Sequence, residues 1–497
     1  MKGKTFYIIF IIFVILILGY NSYPDEVASN VVVSNVIIIS NVDDAIRIGL
    51  ENNKDLREKV IGIMSANANL KSSFADLVLP GVSGSFRFST LDPKTLENSI
   101  SKVSSLKLQT NVIGPYPNIS FVTEEKELTN AFWDNYSFAL SVSYRIPYLL
   151  PFGFDVGYNS YLLQSKNVEL AKLQYQKFLN DYVYNVKIAY YNYLFSKEFA
   201  NVAIEADKRY QENLKIAEAN YQSGIFSDLE LIKAQVQLIN NQPNLYSAID
   251  NVEIQKLNLL VTLGIDLSMS SNVEILGSID DVKRDFSNFS LNLESVKSKI
   301  LSGNPDLKIL SKGIELSKIS KDVTLSANKP TLSAFFNFNY DFKKTNSMEN
   351  ERYWVDSWNA GVQLNIPITE LLPISKSYAN MENADYSVVK AKLDYENVLN
   401  ATMSQLQQLS LKLEENKKNL LAQEANVSQA KRSLDIVTQR YSLGNASSVD
   451  LLDAQLAYQQ AEVNLLSSWI SYVGNILLSQ KLSGELVDKG GSYEGKN

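Results

Sequence analysis

The same short turn sequence occurs twice in this chain. Residues Tyr441–Gln455 read YSLGNASSVDLLDAQ, and residues Tyr221–Gln235, 220 positions earlier, read YQSGIFSDLELIKAQ. Both follow the pattern Y-x-x-G-x-x-S-x-x-[DE]-L-x-x-A-Q. In each copy the glycine permits the left-handed backbone that ends a helix, and the serine followed three residues later by an acid has the spacing of a capping box that begins another. The sequence therefore predicts two helical hairpins.

The repetition extends well upstream of the turns. Ser137–Pro147 (SFALSVSYRIP) matches Ser357–Pro367 (SWNAGVQLNIP) at the same offset, whereas LPGVSGSF at Leu79 matches KPTLSAFF at Lys329 at an offset of 250. The first half has a longer insertion, Thr90–Asp134, which accounts for the difference. Each half thus reads helix, strand, loop, strand, very long helix, glycine turn, helix. The predicted organisation is a signal peptide (1–22), a leader (23–41), a first repeat (42–264), an equatorial linker (265–294), a second repeat (295–482) and a polar tail (483–497).

Two strands are predicted in each half, at about 82–90, 136–147, 332–341 and 357–367. All four alternate apolar and polar residues, and the apolar face is rich in aromatic residues, as in membrane-spanning β-strands. A soluble antiparallel sheet alternates in the same way, but no other element is left to cover such a face. Four strands cannot close a barrel, for which about eight are needed, and an open edge is not tolerated in lipid. We therefore expect a barrel shared between chains.

The long helices are predicted at about 151–221 and 373–442, because no proline or turn signal interrupts either run before its glycine. Each would be about 105 Å long at about 1.5 Å per residue. A sevenfold apolar spacing, such as Leu406, Leu413 and Leu420, indicates coiled-coil packing. Shorter helices, for example one from Val42 to Leu79, should stack end to end against the long ones, with a kink at Pro243. A solid soluble bundle or a filament is the alternative.

The composition excludes several kinds of function. The net charge of −7 does not favour a nucleic-acid partner, and the absence of cysteine and histidine removes the commonest metal ligands and the commonest general base. We therefore predict no enzymatic activity, no cofactor and no metal site. Lys2 and Lys4 precede an apolar run, Phe6–Leu18, which is short for a membrane helix and typical of a secretory signal. An uncleaved anchor is the alternative.

Taken together, these features resemble the TolC-like outer-membrane efflux proteins. The second turn matches the family pattern Y-x-x-G-x-x-S-x-x-D-[LV]-L-D-A, and AIRIGLENNKDL is similar to the family's first helix. The resemblance implies a mainly α fold with a small β part, in which a homotrimer contributes four strands per chain to a 12-stranded barrel in outer-membrane lipid. It also implies a periplasmic adaptor and an inner-membrane pump as partners, in drug efflux or type I secretion. The alternative function is an inner-membrane-anchored coiled-coil adaptor or scaffold.

The resemblance also assigns candidate site residues. Two aspartates match the family's acidic ring at the tunnel constriction, and a tyrosine matches one that latches the closed tip, for which a neighbouring carboxylate such as Glu230 is the expected partner. The predicted constriction and gate residues are Asp450, Asp453, Tyr441, Glu230 and Tyr221. The predicted tip-turn and adaptor-docking residues are Gly224, Gly444, Ser227 and Ser447. Where the family has a latching arginine, this chain has Ala446.

Overall fold

The computed structural model describes residues 37–78, 80–90, 99–110, 118–128, 133–146, 156–344 and 352–488. The predicted signal peptide and most of the leader lie outside the described residues. The elements of the first half are β1 (Ile37–Ile39), α1 (Val42–Asn52), α2 (Lys54–Val78), β2 (Pro80–Thr90), β3 (Ser99–Thr110), β4 (Asn118–Leu128), β5 (Trp133–Ile146), α3 (Val156–Gln222) and α4 (Asp228–Leu263).

The second half follows the same plan. Its elements are β6 (Val273–Ile275), α5 (Ile279–Phe286), α6 (Leu293–Gly303), α7 (Pro305–Ala327), β7 (Thr331–Lys344), β8 (Arg352–Asn365), α8 (Lys376–Ser442), α9 (Ser448–Ser483) and α10 (Glu485–Asp488). The duplicated, mainly helical architecture that the sequence predicts is confirmed.

Each long helix packs against two shorter helices of its own repeat, and α3 also contacts α7 and α9 of the second repeat. The 67-residue α3 contacts α4 along one part and α2 along another, and the 67-residue α8 contacts α9 and α7 in the same way. At about 1.5 Å per residue, each long helix spans about 100 Å. Pro243 lies inside α4, which continues from Asp228 to Leu263 without a break. The two glycine turns lie together at the end of the helices remote from the strands, where Phe226 of the first turn packs against Tyr441 of the second.

Both repeats break their first helix at an asparagine, where the sequence predicted one continuous helix from Val42 to Leu79. The side chain of Asn53 accepts a hydrogen bond from the Leu56 amide (2.8 Å), and the side chain of Asn304 accepts one from Leu307 (3.0 Å). Asparagine is favoured as an N-cap because its side chain satisfies an amide that has no partner within the helix. In the second repeat Pro305 follows at the first helical position, where a missing N–H costs nothing.

The sheet is larger than predicted. Six strands pair in the order β2-β3-β4-β5-β7-β8, all antiparallel, because the Thr90–Asp134 insertion, interpreted as a loop, contains β3 and β4. The count of four strands per chain is therefore corrected to six. The serine, lysine and glutamate content of the insertion hid its strands, but the register aligns Leu106 with Phe121 and Lys102 with Glu125. Such apolar and opposite-charge pairs stabilise neighbouring strands.

The equatorial linker is packed into the molecule instead of lying irregularly outside it. Strand β6 pairs in parallel with β1, which belongs to the predicted leader. Ile39, Ile275, Val282 and Phe286 join the largest apolar cluster, together with the middle of α3 and the ends of α4 and α9. The prediction missed this because a three-residue strand and an eight-residue helix are too short to show a clear period.

Within the described part of the chain, none of the helices combines the length and the apolar character that a membrane span requires.

Candidate gate at the helical tips

The two glycine turns have the same backbone. Gly224 and Gly444 have φ of 73° and 74°, in the left-handed region that glycine adopts without strain. In both turns the glycine N–H donates to the carbonyl of the tyrosine three residues earlier, at 3.0 Å. The next N–H donates five residues back, to Asn220 and Arg440 respectively, at 2.8 Å. These bonds satisfy carbonyls that the helix end would otherwise leave free, as in a Schellman motif.

The helices that follow the turns are capped differently. In the second turn the Ser447 hydroxyl accepts from the Asp450 amide (3.1 Å), and the Asp450 carboxylate accepts from the Ser447 amide (3.0 Å), which completes a capping box. The hydrogen bonds that the Asp450 carboxylate accepts from the Ser447 amide and hydroxyl lower the pKa of Asp450. In the first turn the Ser227 hydroxyl accepts a hydrogen bond from the Glu230 amide (3.4 Å), but the Glu230 carboxylate accepts none from Ser227. The predicted first box is therefore only half formed.

Glu230 instead joins the two hairpins. Its carboxylate accepts a hydrogen bond from the backbone amide of Ser448 (3.1 Å) and forms an ion pair with Lys233 (2.8 Å). Burial opposes ionisation of this carboxyl, but the bonds from Lys233 and Ser448 outweigh it, so the pKa of Glu230 lies below its ordinary value. Gln237 supports the same link, because its side-chain amide donates to the Ser448 carbonyl (3.4 Å).

Tyr441 forms the apolar centre of the tip. Only 1% of its surface is exposed, and its ring lies 4.9 Å from that of Phe226 on the other hairpin. Leu434, Leu451 and Ala454 complete the buried cluster. Burial, and then the charge of Glu230, raise the pKa of Tyr441 to about 12, so the hydroxyl stays neutral at physiological pH.

The remaining predicted site residues lie on the surface of the single chain. Tyr221, the counterpart of Tyr441, is 43% exposed and does not join the tip cluster. Asp450 and Asp453 are both exposed, but only Asp450 is held by a cap. Ala446, which occupies the place of the family arginine, packs half-buried against the cluster.

Sequence reasoning missed Ser448, which is 1% exposed and is held by both Glu230 and Gln237. The sequence offered a signal for Ser448, because the first residue of a helix has an amide without an intrahelical acceptor. Phe226 was also missed, since its counterpart in the second turn is the small Ala446. Together these residues bring the two hairpins into direct contact.

At the other end, the β7–β8 part of the sheet presents an uncovered apolar face. Trp358 and Val362 are 68% and 67% exposed, and neighbouring aromatic rings stack along the same ribbon, as do Tyr340 and Trp354 at 4.6 Å. No described helix covers this face. An exposed aromatic and aliphatic surface of this kind indicates contact with lipid or protein.

Three solved structures share this architecture. The Campylobacter jejuni CmeC outer membrane channel is 19% identical, with 89% of this chain and 85% of that chain covered and a TM-score of 0.64. The outer membrane protein VceC of Vibrio cholerae is 13% identical, with 89% and 96% covered and a TM-score of 0.66. The open state of the Neisseria gonorrhoeae MtrE outer membrane channel is 15% identical, with 94% and 97% covered and a TM-score of 0.63.

The fold is therefore that of an outer membrane channel. A family model described as outer membrane efflux protein matches residues 45–264 and 296–468, which are the two repeats. The chain belongs to the outer membrane efflux protein family: it is an efflux channel of the outer membrane, with its helices on the periplasmic side. This decides against the alternative of an inner-membrane adaptor. A search of curated proteins gives no match.

Proposed function

We propose that three copies of this chain form one export channel whose periplasmic mouth is gated by the paired helical tips. The tip contacts carry the proposal. The Glu230–Ser448 hydrogen bond and the Tyr441–Phe226 ring contact join hairpin α3–α4 to hairpin α8–α9 at the end farthest from the sheet. Opening the mouth requires the hairpins to separate, so these contacts would hold it closed.

The sheet supports sharing between copies. Within the described strands, β2 and β8 are the two edges, and each has a neighbour on one side only. An open edge in lipid leaves backbone groups unpaired at several kcal/mol each, so β8 of one copy would pair with β2 of the next. Three such six-stranded sheets would close a barrel of eighteen strands, in place of the twelve that the resemblance implied.

Asp453 is the residue best placed to act on passing ions. It is exposed near the start of α9 and, in the described part of the chain, makes no hydrogen bond or ion pair, whereas the Asp450 carboxylate is bound to Ser447. In a trimer, both aspartates would contribute to a ring of carboxylates at the mouth. Such a ring attracts cations and repels anions.

The turns themselves would dock the periplasmic adaptor, behind which the inner-membrane pump delivers cargo. Gly224, Ser227, Gly444 and Ser447 are exposed, and so are the apolar side chains of Ile225 and Leu443 beside them. Exposed apolar residues at a remote helix end are a suitable surface for another protein. Efflux of small molecules and secretion of proteins are both compatible with this arrangement.

The test is ion selectivity in planar lipid bilayers. We expect the purified protein to form cation-preferring pores, and Asp453→Asn to reduce that preference without loss of the oligomer on mild gels. Glu294→Gln is the matched control, because Glu294 is an exposed acid in the first turn of α6, far from the tip. Equal selectivity in Asp453→Asn and the wild type would contradict the acidic ring.

A further inference from the structure

A second set of contacts joins the two hairpins above the tip. On α3, the guanidinium of Arg209 lies over the ring of Tyr458 on α9, with 5.1 Å from Cζ to the ring centroid. Arg209 also faces Glu462, one turn further along α9, with Nη2 and Oε2 3.7 Å apart. Tyr458 in turn packs against the tip cluster around Tyr441. This Arg209–Tyr458–Glu462 cluster is thus continuous with the proposed gate.

The cluster is incompletely satisfied. A separation of 3.7 Å is too long for a hydrogen bond, and both Nη2 of Arg209 and Oε2 of Glu462 are buried without a hydrogen-bond partner. Among the other buried polar side chains of α3 and α9 that share this condition, three lie nearer the tip, Asn213, Ser448 and Gln455, and one, Asn180, lies nearer the equator. Nδ2 of Asn213 and Oε1 of Gln455 are buried and unpartnered, in residues that are only 5% and 4% exposed.

The same two helices carry a contrasting cluster nearer the equator. There Lys481 of α9 forms an ion pair with Asp181 of α3 at 2.9 Å, and its ammonium lies 4.7 Å from the centre of the Tyr184 ring. The chemistry is the same, a cation over a tyrosine beside a carboxylate, but here the ion pair is within hydrogen-bond distance. This cluster lies about 19 residues from Glu462 along α9, or about 28 Å.

We propose that the Arg209–Tyr458–Glu462 cluster is a second gating element, which sets how easily the hairpins separate, while the Lys481–Asp181 pair only anchors them. This rests on the proposed tip gate. Buried polar groups without partners make a packed interface less unique, so another arrangement of the helices lies close in free energy. When the hairpins part, water reaches these groups and satisfies them. The cluster therefore holds the closed tip by charge attraction, yet leaves it able to open.

The balance between charge attraction and the cost of burying these polar groups predicts how single and paired substitutions differ. Removing one member of a buried ion pair leaves an uncompensated charge, whereas replacing both members by apolar side chains of similar size removes the desolvation cost altogether. Because the two side chains are still 22% and 21% exposed, Arg209→Met alone should favour the open tip and raise the mean pore conductance by roughly two- to fivefold. The double variant Arg209→Met with Glu462→Met should return it to the wild-type level or below.

The experiment compares these proteins as purified oligomers in planar lipid bilayers, with oligomer stability measured by melting on mild gels. Lys481→Met is the control: we expect a lower melting temperature but a conductance within twofold of the wild type. Tyr458→Phe keeps the ring over Arg209 and removes the hydroxyl that is hydrogen-bonded to Glu462. It should raise conductance slightly and provides a test if Arg209→Met does not assemble.

Three results would overturn the proposal. These are an unchanged conductance in both Arg209→Met and Tyr458→Phe, a double variant as conductive as the single one, and an increase in Lys481→Met equal to that in Arg209→Met. A wild-type protein that forms no pore would contradict the channel proposal itself and so is distinguishable from a failure of the cluster.

Discussion

The first and second tip turns share a backbone but use their acids differently. Asp450 completes a capping box within its own hairpin, while Glu230, at the equivalent position, reaches across to the Ser448 amide of the other hairpin. The longer side chain of glutamate permits this reach. The two copies of the motif therefore have different roles. The acid of the second turn caps its own helix, and the acid of the first turn binds the other hairpin.

The largest difference in tip stability is expected between substitutions of the two turn tyrosines, Tyr441 and Tyr221. Tyr441→Ala should destabilise the tip by about 3–5 kcal/mol, as for other buried aromatic residues, because it empties the centre of the cluster. Tyr221→Ala is the matched control and should have little effect, because Tyr221 is largely exposed. Amide hydrogen exchange of the residues around Ser448 measures the effect. Similar exchange rates in the two variants would show that Tyr441 does not hold the hairpins together.

The two glycines offer the next comparison. Alanine in the left-handed region costs about 1–2 kcal/mol at either position. At Gly444 a Cβ would also lie 2.8 Å from Cγ2 of Ile225, whereas at Gly224 it would meet nothing within 4 Å. We therefore expect Gly444→Ala to lower the melting temperature of the purified protein more than Gly224→Ala. The reverse order would mean that the turns pack against each other differently.

A smaller change is expected for the acids. Glu230→Gln should weaken the link between the hairpins by about 1 kcal/mol, since a neutral amide accepts a weaker hydrogen bond than a carboxylate. Asp450→Asn should weaken only the cap within its own hairpin. Pore conductance separates the two, because only Glu230→Gln should increase it. An equal increase in Asp450→Asn would remove the distinction between the turns.

The smallest predicted effect is the pH dependence of pore conductance. The pKa of Glu230 is lowered from 4.5 by the Ser448 and Lys233 bonds, so their contribution is complete above pH 4.5 and is lost as the pH falls through the lowered pKa. The pKa of Asp450 is lowered from 3.8 by its hydrogen bonds from Ser447, so its cap is complete above pH 3.8 and is lost as the pH falls through that lowered pKa. Wild-type conductance should therefore rise on acidification below pH 4.5, and Glu230→Gln should not show that rise. A rise in conductance between pH 7 and 5 would require the titration of a group other than Glu230.

The sequence predicted the parts of the fold that repeat or show a long period. The glycine turns, the long helices and the outer β-strands of each half all followed from recurrence and spacing. The inserted strands did not, because Ser, Lys and Glu dominate β3 and β4 and only cross-strand pairing explains them. At the tip, the spacing of Ser227 and Glu230 predicted a local capping box, but a contact with a helix 218 residues away took its place. Single-sequence periodicity carries no information about such a partner.

The parallel pairing of β1 with β6 has a consequence for how the chain is made. Ile37 aligns with Val273, so β1 can pair only with a segment that is synthesised more than two hundred residues later. Contacts between distant segments form slowly because a long loop must first close. The equatorial core therefore cannot be completed until the linker has been synthesised, so the whole first repeat emerges before its own core can close.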